Sequence, residues 1–416
     1  MASVGRVERD ALAVIGGGRW ARVLASILAG SDLPFASVVI VSESAALAGA
    51  EENRGRFAGF AVLPSIEAAI GHFRLGGAII ANAARAHAAT ADKLVRAGIP
   101  VLIEKPAALA LAEARHLLEL GDAHGVCVVP SLSYLHTSYL RRFAALLRSK
   151  GTLRRVGVEW RDAAGEVRYG ERKSYDAGIS VAQDVMPHIW SILNLVIGFA
   201  ADDLAGQDIE VKACQIAKGG SLAEYELEAG GVPSRVALER DAPARRRQVT
   251  AELASGDRLE IDFTVEPGTI ASGDTQQSGD PQWTEGPRPL ARQIGEFLAA
   301  GKGRTSAAAR HAILGSVALA ERCDILLKQR QREWARPERA DPELHYACRD
   351  LLAGRFYEEG RGRPGDAQAL DAWISHKLRL FRSAAPDTDA EVPWRADPDL
   401  LGGTKGEMNF SSSRRP

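Results

Sequence analysis

Two apolar patterns alternate along the first 130 residues. Short unbroken apolar runs at 12–16, 37–42, 77–82, 101–104 and 126–131 read as strands buried on both faces. Between them, 18–30, 65–73, 88–98 and 111–125 repeat apolar residues at helical spacing, and several close on glycine, as helices often do. Strand and helix in strict turn predict a doubly wound parallel α/β sheet of Rossmann type.

The pattern changes near residue 131. A helix (138–151), a strand (154–162) and a longer helix (about 180–197) lead into consecutive strand-like runs at 208–217, 221–230, 234–240, 247–255 and 258–266. Strands in succession, separated by turn residues, predict an α+β domain with a large, mostly antiparallel sheet. A helical pair, 290–301 and 306–329, completes it. Three units follow: a parallel α/β domain at 1–130, an α+β domain at 131–330, and a helical extension at 331–416. Within the extension, Leu370, Trp373, Ile374, Leu378 and Phe381 form one helical stripe, expected to dock on the parent domain or a sister subunit. The Pro-, Asp-, Gly- and Ser-rich tail after 384 is expected to be poorly ordered.

Composition narrows the function classes. A formal charge of -1, with 46% hydrophobic and 25% charged residues, is ordinary for a soluble globular chain and gives no reason to expect a nucleic-acid or membrane partner. No segment reaches the ~18 apolar residues of a membrane span. The apolar start runs into glycines rather than a cleavage site. Cys127, Cys214, Cys323 and Cys348 show no metal-ligand spacing and read as free thiols of a cytoplasmic protein, with no metal expected.

The chemistry begins at 14–21, where Gly16, Gly18 and Ala21 occupy the three places of GxGxxG/A between a strand and a helix. Gly16 permits the tight turn, Gly18 lets backbone approach a pyrophosphate, and Ala21 allows close helix-to-strand packing. Arg19 and Trp20 complete this cofactor-side turn. About 20 residues on, the second strand ends in Ser42 and Glu43, where an acid binds ribose hydroxyls and repels a 2'-phosphate, favouring NAD over NADP. The strand at 101–104 carries Glu104 and Lys105 to the ligand-binding edge of the sheet, and Pro106 turns the chain away.

Together the glycine turn, the acidic strand end and "AGIPVLIEKP" resemble the glucose-fructose oxidoreductase and inositol dehydrogenase (Gfo/Idh/MocA) family over about residues 10 to 330. The resemblance implies that Lys105 is catalytic. It also implies a second signature, Asp-x-x-x-His, matched by Asp184 and His188, whose four-residue spacing stacks them on one helical face. His188 then handles the substrate proton, and Asp184 orients it or binds substrate. The family's third-strand loop survives only as Asn82 and His87, and its triple glycine is reduced to Gly178-Ile179-Ser180. Its polar substrate segment is replaced by "PSLSYLHTSY", which offers Tyr134 and His136 to the substrate, with Tyr139 nearby. Arg245, Arg246 and Arg247 read as a solvated hairpin tip.

The resulting expectation is an NAD(P)-dependent dehydrogenase acting on a small sugar-, cyclitol- or related substrate, assembled as a homodimer or homotetramer. A ketone or imine reductase is the enzymatic alternative. A dinucleotide-binding sensor or scaffold is the alternative without catalysis.

Overall fold

The computed structural model describes residues 10–30, 35–47, 57–168, 170–173, 175–176, 178–199, 209–217, 221–301, 303–335, 346–358 and 367–383. The first domain is a six-stranded parallel sheet in the order β3-β2-β1-β4-β5-β6. Its strands are β1 (Asp10–Ile15), β2 (Ser37–Val41), β3 (Ala61–Leu63), β4 (Arg74–Ile80), β5 (Val101–Glu104) and β6 (Val128–Ser131). Leu12, Val14, Ile79 and Leu102 point to one face, and Ala13, Ile80, Val101 and Ile103 to the other. Both sets are buried because helices cover both faces. The amphipathic helix α1 (Arg19–Ala29) buries Ala21, Val23, Leu24, Ala25 and Leu28 at the spacing of one helical stripe. The helices α2 (Glu43–Leu47), α3 (Ile66–His72), α4 (His87–Arg96) and α5 (Leu111–His124) continue the alternation. β3 is three residues long and was not legible as a strand.

The second domain holds an eight-stranded sheet in the order β10-β11-β12-β7-β13-β14-β15-β16. Its members are β7 (Leu153–Ala163), β10 (Ile209–Ala217), β11 (Leu222–Ala229), β12 (Val232–Ala242), β13 (Arg246–Leu253), β14 (Arg258–Asp262), β15 (Thr269–Ser272) and β16 (Thr275–Ser278). Only β7 and β12 run parallel; the other steps are antiparallel. A small hairpin of β8 (Val167–Arg168) and β9 (Glu171–Arg172) stands apart. The helices α6 (Ser138–Lys150) and α7 (Val181–Ile197) pack on one face of the large sheet, around Phe143, Trp190, Tyr225 and Phe263.

The domain division differs from the sequence reading at one place. Ile294 and Phe297 of α8 (Pro289–Ala300) pack with Leu12, Leu28 and Ile79 of the first domain. Ile313, Leu314 and Val317 of α9 (Ala307–Ala335) join its other face. The chain therefore returns to the Rossmann sheet before it ends, and α9 contributes to both cores, since Leu319, Cys323 and Leu327 pack in the second.

The extension supplies α10 (Tyr346–Glu358) and α11 (Ala367–Ser383). α10 packs on α9 and α11 on α10, burying Leu351, Leu352, Phe356, Leu370 and Ile374. Leu370 and Ile374 of the predicted stripe are thus buried within their own chain, and Trp373 packs on Phe356; the side chains of Leu378 and Phe381, and the tail after 384, lie outside the described residues.

Candidate functional site

A cavity of about 850 Å³ opens between the carboxyl ends of the parallel strands and the large sheet. The order β3-β2-β1-β4 places the topological switch at β1, where open α/β sheets bind ligands. At that edge Gly16 has φ +137°, and a Cβ there would lie 2.5 Å from the carbonyl oxygen of Ala81. Gly17 is less constrained, since its Cβ would meet the Ser42 hydroxyl at 2.3 Å, a side-chain atom that can turn away. Gly18, the N-cap of α1, has nothing within 4 Å of its Cβ position. The turn is thus close-packed behind and open in front, with the first N–H groups of an eleven-residue helix facing the opening. Those features fit a dinucleotide pyrophosphate. Arg19 and Trp20 line the cavity, Arg19 reaching the carbonyl of Arg168 across the domain gap at 3.2 Å, while Ala21 is buried against the sheet.

Not every residue expected to touch a cofactor offers its side chain. Ser42 Oγ accepts from Ala45 N–H (3.3 Å) and so caps the short helix α2, leaving Glu43 exposed at the end of β2. His87 is 2% exposed, its Nδ1 2.8 Å from the carbonyl of Pro106 and its Nε2 3.1 Å from that of Asn82. Burial lowers its pKa against the opposing pull of these two carbonyls, only one of which an uncharged ring can serve as donor, and the ring braces the two loops. Glu104 turns inward to accept from Ser131 Oγ (2.6 Å), and burial raises its pKa. Asn82 donates to Thr90 Oγ1 (2.9 Å), while its Oδ1 is buried without a partner on the cavity wall.

Lys105, following a strand, and Asp184, on α7, meet from different domains. Lys105 Nζ donates to the Asp184 carboxylate and to the Asp184 carbonyl oxygen (2.9 Å); both side chains are roughly four-fifths buried. The peptide after Lys105 is cis. An ammonium has three N–H groups, and these bonds use two. α7 begins at Ser180, whose Oγ accepts from Gln183 N–H (3.3 Å) while Gln183 Oε1 accepts from Ser180 N–H (3.4 Å), a reciprocal cap. Burial alone would raise the pKa of Asp184, but Lys105, Arg240 at 3.6 Å and Lys173 outweigh it and hold the carboxyl far below its ordinary value.

One turn on, His188 faces the same cavity. Its ring stacks on Trp160 (centroids 5.1 Å, planes 20° apart) and meets the edge of Tyr134 (5.0 Å, 71°). Burial first, then the Lys105 charge, hold its pKa well below the usual value, so the imidazole is uncharged at neutral pH. Nδ1 is buried without a hydrogen-bond partner, which leaves Nε2 as the nitrogen able to serve a ligand. Tyr134 is buried in the same wall, and its hydroxyl pKa is pushed up to about 12, chiefly by burial.

His136 is a correction. It lines a smaller, adjoining pocket of about 300 Å³ that shares Trp283 and Pro289 with the main cavity, and its Nδ1 lies 3.3 Å from Glu296 Oε1. Residues 133–136 form a 3-10 turn, in which side chains two apart point to different sides, so Tyr134 and His136 diverge. Arg247 is another. It is 1% exposed, pairs with Asp162 and lies 3.8 Å over Trp160, whereas the sequence placed it at a solvated tip. With Lys173, 2.7 Å from Asp162, and Tyr175, these residues complete the cavity wall. A period-two reading carried back along 247–253 finds Arg247 on the buried face with Val249, Ala251 and Leu253. Among the described residues no group of three or more His, Cys, Asp or Glu side chains is disposed to hold a metal, and no helix is long and apolar enough to cross a membrane.

Comparison with known proteins bears on the fold. Residues 11–131 match the model of the oxidoreductase family, NAD-binding Rossmann fold. No curated protein matches the sequence. Among solved structures, KijD10, a 3-ketoreductase from Actinomadura kijaniata in complex with TDP-benzene and NADP, is similar with a TM-score of 0.60 and 18% identity, over 75% of this chain and 95% of that one. A Gfo/Idh/MocA family oxidoreductase from Vibrio cholerae is similar with a TM-score of 0.57 and 18% identity, over 77% of this chain and 98% of that one. At such identities the likeness is one of fold. Residues 11–131, under a third of the chain, are thus similar to the Gfo/Idh/MocA family of oxidoreductases with an NAD-binding Rossmann fold.

Proposed function

We propose that this protein is an NAD(P)-dependent dehydrogenase or reductase acting on the carbinol or carbonyl carbon of a small sugar-, cyclitol- or related molecule. The observation that carries the reading is the meeting of Lys105 with Asp184 and His188 in one cavity beside the glycine turn. The bound nicotinamide supplies a two-electron hydride carrier. In the oxidative direction the substrate C–H bond breaks with its electron pair leaving as hydride, and the hydroxyl proton passes to uncharged His188 as the carbonyl forms. Reduction returns both. Lys105 gives its remaining N–H to the substrate oxygen and stabilises the negative charge that grows there. Asp184 fixes the ammonium in place. Glu43, at the end of β2, supports NAD over NADP.

Reduction of a ketone or imine is the second reading, favoured by Tyr134 and Trp160 enclosing His188 where a polar segment was expected. The 3-ketoreductase named above, bound to TDP-benzene and NADP, supports a ketone substrate. Both readings are tested by incubating the protein and its Lys105→Met variant with NAD(H) or NADP(H) and a panel of polyols, sugars and their ketones. Wild type turns over at least one member; the variant loses about 100-fold or more in turnover yet still binds NADH. Full activity in the variant removes Lys105 from the mechanism. Cofactor binding with no turnover across the panel favours a dinucleotide sensor.

A further inference from the structure

The loop after β4, residues 82–87, carries Asn82 on the cavity wall and reaches across to the second domain. Ala84 N–H donates to Asp176 Oδ2 (3.3 Å), and Arg85 Nε donates to the carbonyl of Gly178 (2.5 Å). The Arg85 guanidinium also lies 4.5 Å over the ring of Tyr357, which belongs to α10 of the extension. These groups crowd one glycine. A Cβ on Gly178 would stand 3.0 Å from Asp176 Oδ1, 3.1 Å from Tyr357 Cε2 and 3.4 Å from Arg85 Cδ. Two residues later Ser180 starts the helix that bears Asp184 and His188. Tyr357 therefore touches both the loop with Asn82 and the lead-in to α7.

The same helix is anchored elsewhere. Asp350 accepts from Gln331 Nε2 (2.9 Å) on α9, and the seven residues from Asp350 to Tyr357 are two turns, which returns them to one face. Matching 95% of KijD10 takes up only 75% of this chain, so this chain has length beyond the shared fold.

We propose that Arg85 and Tyr357 are a positioning pair, through which the extension pins loop 82–87 to the second domain and so sets the shape of the nicotinamide end of the cavity. The inference rests on the cofactor reading above. Neither residue touches reacting atoms. Their contact is a cation held over an aromatic face, which Phe preserves and Leu abolishes.

The test is titration of the full chain with NADH, followed by nicotinamide fluorescence, for wild type, Tyr357→Leu, Tyr357→Phe and Trp373→Leu. Trp373 packs against Phe356 (5.6 Å) in the extension and serves as a control for general loosening. Tyr357→Leu is expected to weaken NADH binding about 3- to 10-fold, with a thermal midpoint no lower than that of Trp373→Leu. Tyr357→Phe and Trp373→Leu are expected to bind as wild type. Wild-type affinity in Tyr357→Leu overturns the pair, as does equal weakening in Trp373→Leu. A wild-type chain that binds neither NADH nor NADPH overturns the cofactor reading and this inference with it, whereas normal binding with an unchanged Tyr357→Leu overturns this inference alone.

Discussion

Arg247 and Trp160 are direct cross-strand partners in β13 and β7, and the guanidinium lies 3.8 Å above the indole. Arg247 also bonds the Asp162 carboxylate, which Lys173 approaches from another side at 2.7 Å. The pair forms the floor on which His188 stacks. Removing Arg247 leaves a buried carboxylate short of one cation and bares an aromatic face. Arg247→Met is therefore expected to destabilise the fold by about 3 kcal/mol. Arg246, one residue earlier and 46% exposed, pairs with Glu159 on the surface, and Arg246→Met should cost less than about 1 kcal/mol. Urea denaturation of the two variants checks the contrast; equal effects would return Arg247 to a solvated tip.

Burial holds His87, His136 and His188 below their ordinary pKa. Near neutral pH they are uncharged in both the folded and unfolded chain. Below about 6.5 the unfolded chain takes up protons that the folded chain refuses, so each costs about 1.4 kcal/mol of stability per pH unit until its own folded value is reached. Asp162 and Asp184 are lowered by their cations, and their contribution is lost only as pH falls below about 4. Stability is expected to drop between pH 7.5 and 5.5, with a shallower slope in His188→Asn. A flat profile across that range would show that these imidazoles protonate freely in the folded state.

The glycine turn makes a separable prediction. Gly16→Ala places a methyl 2.5 Å from a carbonyl oxygen at φ +137° and should cost about 2 kcal/mol. Gly18→Ala meets nothing in the protein and should melt as wild type, yet weaken NADH more than about tenfold by filling the space for the pyrophosphate. Calorimetry and cofactor titration on the two variants separate folding from binding. Unchanged NADH affinity in Gly18→Ala would mean that the phosphates lie elsewhere.

Much of this fold was legible because its signals are periodic. Strands buried on both faces, such as Ile79 within β4, left unbroken apolar runs, and the parallel α/β alternation followed. What failed to show were features set by long-range packing. β3 is too short to carry a period. The return of Ile294 and Phe297 to the first sheet depends on where a later helix docks, which local pattern does not encode. In the site, Lys105, Asp184 and His188 carried a spacing that could be read, and the structure brings them together. Asp162, Lys173 and Arg240 carried none, because each gains its meaning from a partner in another element. His136 misled because a 3-10 turn replaces the extended chain that would have aligned it with Tyr134.

The central claim is that a nicotinamide dinucleotide runs from the Gly18 turn to the pocket formed by Lys105, Asp184 and His188. A crystal structure with NADH tests it most directly. The account predicts the pyrophosphate on the N-terminus of α1 and the nicotinamide ring between Asn82 and Lys105, with C4 facing the space in front of His188 Nε2. A dinucleotide bound elsewhere, or one whose nicotinamide points away from Lys105, would contradict it.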